Sequence, residues 1–152
     1  MSPRTLYRRV ALAEVVSWAL LLLGMTLKYA GVTELGVRVF GLVHGVVFIS
    51  FCLVTVFVWV NQRWTAREGI LGLLSAVPPF LTVWYERRAE RAGRLEGGWR
   101  LGHGGEAPTS LSERAVAWMI ARPAAAVGIG LVSVAALTGL ALVVGPPVGT
   151  AG

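Results

Sequence analysis

Phe40-Gly-Leu-Val-His-Gly-Val-Val-Phe-Ile-Ser-Phe-Cys-Leu-Val-Thr-Val-Phe-Val-Trp-Val60 carries no charged residue. A helix rises about 1.5 Å per residue, so this stretch covers the roughly 30 Å of hydrocarbon in a bilayer. Trp59 and Trp64 bracket its exit, as interfacial aromatic residues do, and Asn61, Gln62 and Arg63 end it. Upstream, Val10–Leu27 is a second apolar run of spanning length, closed by Lys28 and Tyr29 before the turn residue Gly31.

Downstream, Gly69–Tyr85 is shorter and contains Pro78-Pro79. Proline has no amide donor and crowds the carbonyls one turn back, here those of Leu74 and Ser75, so a continuous helix kinks at this point. Ser75 offers a hydroxyl to a freed carbonyl. A last uncharged run, Ala124–Val144, is stopped by Gly145-Pro146-Pro147. The fold expected is an all-α membrane protein, a small bundle of about four hydrophobic helices with the third kinked or re-entrant.

Glu86–Arg122 is the one substantial polar region. Its start has helix-forming residues and a Glu90–Arg94 pair at i,i+4, which predicts that the third helix continues into water. Gly97–Thr109 is glycine-rich and reads as a flexible linker. Ser110-Leu-Ser-Glu113 fits a capping box that opens an interfacial helix, with Trp118 and Arg122 at the membrane surface. The organisation expected is a membrane domain over 1–95, a linker over 96–110, a C-terminal helix and span over 111–145, and a short tail over 146–152.

Composition agrees with lipid as the solvent. Of 152 residues, 55% are hydrophobic and 14% are charged, against about a quarter charged in a soluble domain. The net charge of +6 comes from arginines at the ends of apolar runs, which topology explains without nucleic acid. Arg4, Arg8 and Arg9 precede the first run, but Glu14 interrupts it and no small-residue cleavage site follows before Lys28, so this segment is expected to be retained. A single cysteine, Cys52, and two distant histidines, His44 and His103, give no disulfide framework and no zinc-site spacing. No cofactor or metal is expected.

Orientation depends on the third segment. With four full crossings, lysine and arginine divide five to nine between the two sides, favouring an external N-terminus weakly. With a re-entrant third segment they divide twelve to two, and the N-terminus is cytoplasmic. Length favours a kinked crossing and charge favours re-entry; both readings stand at this point.

Ionisable groups inside apolar runs are costly, about 2.5–3.5 kcal/mol at a helix centre for Asp, Lys or Arg. Glu14, Ser17, Trp18, Leu21, Met25 and Lys28 share one helical face. Gly41, His44, Phe48, Phe51, Thr55 and Trp59 form a matching stripe, and Gly41 with Gly45 makes a GxxxG spacing that permits close helix approach. If Leu27 and Phe40 are level, His44 falls beside Gly24–Lys28 and Glu14 lies roughly 15 Å deeper. Two separate polar sites are then expected, one near each membrane face. Glu14, Ser17, Lys28, Tyr29 and His44 are the candidate ligand-binding or intramembrane polar residues. Gly41, Gly45, Gly128 and Gly139 are candidates for helix packing, and Pro78 and Pro79 for a hinge.

Functional readings differ in class. Glu14 and His44 suit a proton or ion pathway, and His44 suits recognition of a lipid or quinone headgroup. The plainer alternative is that Glu14 holds a backbone group or an arginine and His44 bonds across the helix pair. No Gly-x-Ser-x-Gly, His-Glu-x-x-His or complete phosphate-binding loop occurs, so nothing argues for an enzyme.

Glu14-Val-Val-Ser-Trp18, Met25-x-x-Lys-Tyr29 and Gly41-Leu-Val-His-Gly45-x-x-Phe48 resemble a bacterial membrane family, domain of unknown function 3817. Pro78-Pro-Phe80 followed by Glu86-Arg-Arg88 is similar to its third helix and basic exit. The resemblance covers about Leu6–Arg88 and implies a three-helix hydrophobic domain with Glu14, Lys28, Tyr29, His44 and Gly45 in its signature. It implies no activity. The proline pair and the last span depart from the family's simplest pattern. The remaining expectation is a multi-pass plasma-membrane protein, an accessory or interaction module with a homo-oligomeric or other membrane-protein partner besides the bilayer.

Overall fold

Ser2 begins the first helix: its hydroxyl accepts the Thr5 amide hydrogen at 3.2 Å, and Pro3 fills the first helical position, where no amide donor is needed. In the computed structural model, which describes residues 1–145, six helices follow in order. They are α1 (Pro3–Tyr29), α2 (Leu35–Asn61), α3 (Ala66–Leu74), α4 (Leu81–Arg91), α5 (Leu111–Ala121) and α6 (Pro123–Val144). No strand occurs among the described residues. Three helices, α1, α2 and α6, are long and apolar enough to cross a membrane.

The expected count of about four hydrophobic helices is corrected by the third segment. It is two short helices, α3 and α4, joined by Ser75–Phe80, with Pro78 and Pro79 in the connection and Phe80 left-handed at φ 67°. Two successive prolines remove two donors, so the chain leaves the helix instead of bending within it.

Helix ends α1, α2 and α4 close in the same way. The second residue past the cap donates to the carbonyl five residues back: Val32 to Leu27, Trp64 to Trp59 and Arg94 to Ala89. That geometry needs a left-handed residue, supplied by Gly31 and Gly93 but at the end of α2 by Arg63, at φ 51°. A non-glycine residue there costs about 1–2 kcal/mol. Arg63 offsets the cost by reaching Glu106 and Glu113 at 2.8 and 3.3 Å.

α1 and α2 pack antiparallel, closest at Gly24 and Gly36, where a β-carbon added to Gly24 would lie 2.8 Å from the Gly36 carbonyl carbon. α3 meets α2 through Gly69, whose missing side chain makes room for the Trp59 indole, and through Gly72. Thr65 and Glu68 form a reciprocal capping box that starts α3. α4 then runs back along α1. The Trp18 indole donates to the Ala76 carbonyl at 3.4 Å, the Thr82 hydroxyl to the Ala11 carbonyl at 3.3 Å, and Arg4 pairs with Glu90. The hairpin thus rises to the level of Trp18 and returns to the level where α1 begins. Its base is closed by Arg94 on Glu68 at 2.7 Å. The Glu90–Arg94 pair expected from i,i+4 spacing is replaced by these two longer-range pairs, because α4 ends at Arg91 and the chain turns at Gly93.

Residues 93–110 lie over the end of α2. Arg100 donates to the carbonyls of Asn61 at 2.6 Å and Val60 at 3.2 Å; the first is one the helix terminus leaves open, and the second also accepts the Arg63 amide. It also holds Glu113 at 2.5 Å, and the Trp99 indole donates to the Met1 carbonyl at 2.7 Å. Ser110 caps α5 through the Glu113 amide, whereas the Glu113 carboxylate turns to Thr109, so only half of the expected capping box forms. The core contains Tyr7, Phe51, Val58, Trp64, Tyr85, Ala89 and Leu95 at one end of the bundle. α6 runs beside α2 and buries none of its residues.

Candidate functional site

The polar groups of the bundle gather where α4 meets α1. Tyr7, Ala11, Glu14 and Ser17 repeat on the inward stripe of α1, and Thr82, Tyr85, Glu86 and Ala89 on that of α4. Glu14 and Thr82 are both 0% exposed, and the Thr82 hydroxyl donates to Glu14 Oε2 at 3.1 Å. Thr82 also donates toward the Ala11 carbonyl, so a single hydroxyl proton is shared between two acceptors. Glu14 Oε1, the Tyr7 hydroxyl and Glu86 Oε1 are buried without a hydrogen-bond partner among the described residues. Such groups are uncommon in native interiors, where most buried polar atoms are bonded.

One turn further along α1, the Ser17 hydroxyl donates to the Glu14 carbonyl at 2.9 Å and lies 3.0 Å from His44 Nδ1. A serine hydroxyl has one proton. With that proton on the Glu14 carbonyl, the oxygen accepts from His44 Nδ1–H and Nε2 becomes the acceptor face of the ring. Trp18 packs on the imidazole, ring centroids 4.4 Å apart, and Phe48 stands at 6.2 Å. His44 therefore has a fixed orientation.

The expected depth relation is corrected here. Gly24 lies level with Gly36, so the α1–α2 register differs from a Leu27–Phe40 pairing by about two helical turns. His44 sits beside Ser17, not beside Gly24–Lys28, and Glu14, Ser17 and His44 form one polar run through the middle of the bundle. Glu14 and His44 share no direct bond; Ser17 stands between them. Lys28 and Tyr29 lie at the far end of α1, where Lys28 reaches Glu34 at 3.5 Å and Tyr29 is exposed.

The packing glycines also fall elsewhere within the chain. Gly41 has only Leu21 near it, at 3.9 Å from an added β-carbon, and Gly45, Gly128 and Gly139 face open space. Close approaches fall at Gly24, Gly36, Gly69 and Gly72, residues that no GxxxG spacing marks. Thr82, in the short third segment, and Glu86, the first residue of the polar region, were also missed, because only the returning hairpin carries α4 to α1.

Outside the spans, Glu113 accepts the Thr109 amide and hydroxyl at 2.7 and 2.8 Å and also meets Arg100 and Arg63. The Thr109 backbone bond first, then its hydroxyl and Arg100, hold the carboxyl down at about 2. The Thr65 amide likewise lowers Glu68. No cluster of three or more histidine, cysteine, aspartate or glutamate residues able to hold a metal ion occurs among the described residues.

Helices alone among the described residues, three of them apolar and of spanning length, define an all-α membrane protein. Residues 4–91 match the family model described as "Domain of unknown function (DUF3817)", and the chain belongs to that family. It is 49% identical over 88 residues to Streptomyces coelicolor SCO5905, which carries the name of a membrane protein. That match covers 57% of this chain and 10% of the relative, so the chain spans about a tenth of that protein's length. It is 34% identical over 68 residues to the Bacillus subtilis uncharacterized membrane protein YdzA, covering 45% of this chain and 71% of the relative. No solved structure matches the chain.

Proposed function

We propose that the chain is a non-enzymatic, multi-pass plasma-membrane module that assembles with another membrane protein or with copies of itself. The observation that carries this reading is the recurrence of 88 residues of this chain, at 49% identity, as a tenth of a much longer membrane protein. A unit reused inside a larger chain is suited to contact with other membrane segments. The exposed apolar face of α6, with Gly128 and Gly139 open for close helix approach, is consistent with such contacts. Native mass spectrometry after mild detergent extraction is the test. An assembly heavier than the 16.2 kDa chain is expected; a monomer carrying lipid alone would overturn the reading.

In this proposal the N-terminus is cytoplasmic and α3–α4 is a re-entrant hairpin. Nine and eleven residues make helices of about 14 and 16 Å, each near half the hydrocarbon thickness. Irregular backbone at membrane depth needs its polar groups covered. Ser75 and Ala76 are buried at the tip, and the exposed Pro78 and Pro79 have no amide hydrogen to leave unmet. The resulting twelve-to-two division of lysine and arginine follows the positive-inside rule. Single cysteines at His103 and Thr33, in a Cys52→Ser background, test it in intact cells. Thr33 should label from outside and His103 only after permeabilisation; external labelling of His103 would overturn re-entry.

A second reading rests on the buried run of Glu14, Thr82, Ser17 and His44: a small ion- or proton-conducting protein. It expects pH-driven flux in proteoliposomes that Glu14→Gln or His44→Ala abolishes. Unchanged flux in both variants would remove these residues from any pathway. Lipid or quinone handling at His44 or Lys28 is a third reading, and a bound headgroup lost in His44→Ala would favour it over assembly.

A further inference from the structure

The returning helix α4 has a second face that the buried polar run does not use. Phe80, Val83, Trp84, Arg87, Arg88 and Arg91 line an open groove of about 660 Å³ on the outside of the bundle. Phe80 and Trp84 are 46% and 56% exposed, large for aromatic side chains. Their positions follow helical spacing, so one outward stripe carries aromatic residues in its first turns and arginines in its last.

Neighbouring acids are already engaged. Glu90 pairs with Arg4, Glu68 with Arg94, and Glu86 points into the bundle, 2% exposed. Arg87, Arg88 and Arg91 make no ion pair among the described residues. The Arg88 guanidinium lies 5.7 Å from the centre of the Trp84 ring, which orients it over an apolar platform. Three guanidinium groups thus stand together without an ion-pair partner among the described residues.

Depth selects the ligand. The ion pair of Glu90 with Arg4 puts the end of α4 level with the start of α1, at the membrane surface. From Phe80 to Arg91 is about 16 Å of helix rise, so with Arg91 at the headgroup phosphate Phe80 lies deep among the acyl chains of the same leaflet. We propose that this outer stripe of α4 binds an anionic phospholipid, its phosphate on Arg87, Arg88 and Arg91 and its acyl chains along Trp84, Val83 and Phe80. Guanidinium groups bind phosphate oxygens in paired hydrogen bonds, and a zwitterionic lipid finds no carboxylate here for its ammonium. The inference goes beyond the assembly reading and needs only that α1 and α2 span the bilayer.

The test uses the full chain in vesicles of equal phosphatidylglycerol and phosphatidylcholine with matched acyl chains, followed by native mass spectrometry. The wild type should retain phosphatidylglycerol in preference. The combined Arg87→Gln, Arg88→Gln, Arg91→Gln variant should lose that preference by at least about fivefold, the effect of one arginine near an anionic surface. A control with Arg9→Gln, Arg67→Gln and Arg114→Gln, the same change in charge elsewhere, should keep it; equal loss in both variants would reduce the effect to net charge and overturn the site. A second measurement needs only Trp84→Phe. Brominated phosphatidylglycerol should quench the Trp84 contribution to fluorescence more than brominated phosphatidylcholine, and equal quenching would overturn the proposal even if the arginine variant failed to fold.

Discussion

α1 and α6 are both apolar and both long enough to span a membrane, yet they are built for different surroundings. α1 buries a stripe from Pro3 through Tyr7, Ala11, Glu14 and Ser17 to Gly24, whereas α6 buries nothing. The buried stripe of α1 contains two of its most polar intramembrane residues and a glycine, not its leucines. In lipid, apolar side chains gain little by leaving one hydrocarbon for another, so close backbone approach and interhelical hydrogen bonds decide which helices associate. α1 has both devices; α6 shows neither within this chain.

The largest effect should come from filling the α1–α2 contact. Gly24→Leu puts a side chain against Gly36 backbone that cannot rotate away. It should cost about 3 kcal/mol, read as a lower midpoint of unfolding in mixed micelles. The matching change in α6, Gly128→Leu, should stay within about 0.5 kcal/mol for the isolated chain. If Gly128→Leu instead lowers the mass of the assembly, α6 is the contact face and the contrast between the helices becomes one of partners.

A smaller effect should follow from the hairpin's bond to α1. Thr82→Val keeps the shape and removes the donor to Glu14 and Ala11, for about 1–2 kcal/mol in the same assay. Pairing it with Glu14→Gln in a double-mutant cycle would isolate the coupling; additive losses would separate Thr82 from Glu14 energetically.

The smallest effect should be local to the segment over the end of α2. Glu113 is held at about 2 in the folded chain against an ordinary 4.5, so its contribution is complete above 4.5 and is lost as pH falls toward 2. Amide exchange across residues 98–110 should accelerate in that window while α1 and α2 stay protected. Glu113→Gln should remove the pH dependence; its persistence would assign it to another carboxylate.

The class of protein was legible because lipid demands it locally. Length, charge segregation and tryptophans at run ends mark spans without any knowledge of their neighbours. The stripes of α1 and α2 were legible for the same reason, since helical period fixes which residues share a face. Their relative depth was not. Nothing in either helix alone marks Gly24 against Gly36, and the misplacement of His44 by about two turns follows from that.

Gly69–Tyr85 shows the same limit more sharply. Its prolines showed that a continuous helix would be disturbed, but a bend and a full reversal both satisfy the local chemistry. Trp18 on Ala76, Thr82 on Glu14 and Arg4 on Glu90, each made across more than fifty residues of chain, hold α4 back along α1. By itself the sequence determined solvent, helical class, the positions of three spans and part of their inward stripes, all properties of single segments. Register, the reversal at Pro78-Pro79 and the meeting of Glu14 with Thr82 were decided only in the tertiary structure, because each depends on surfaces that distant segments present to one another.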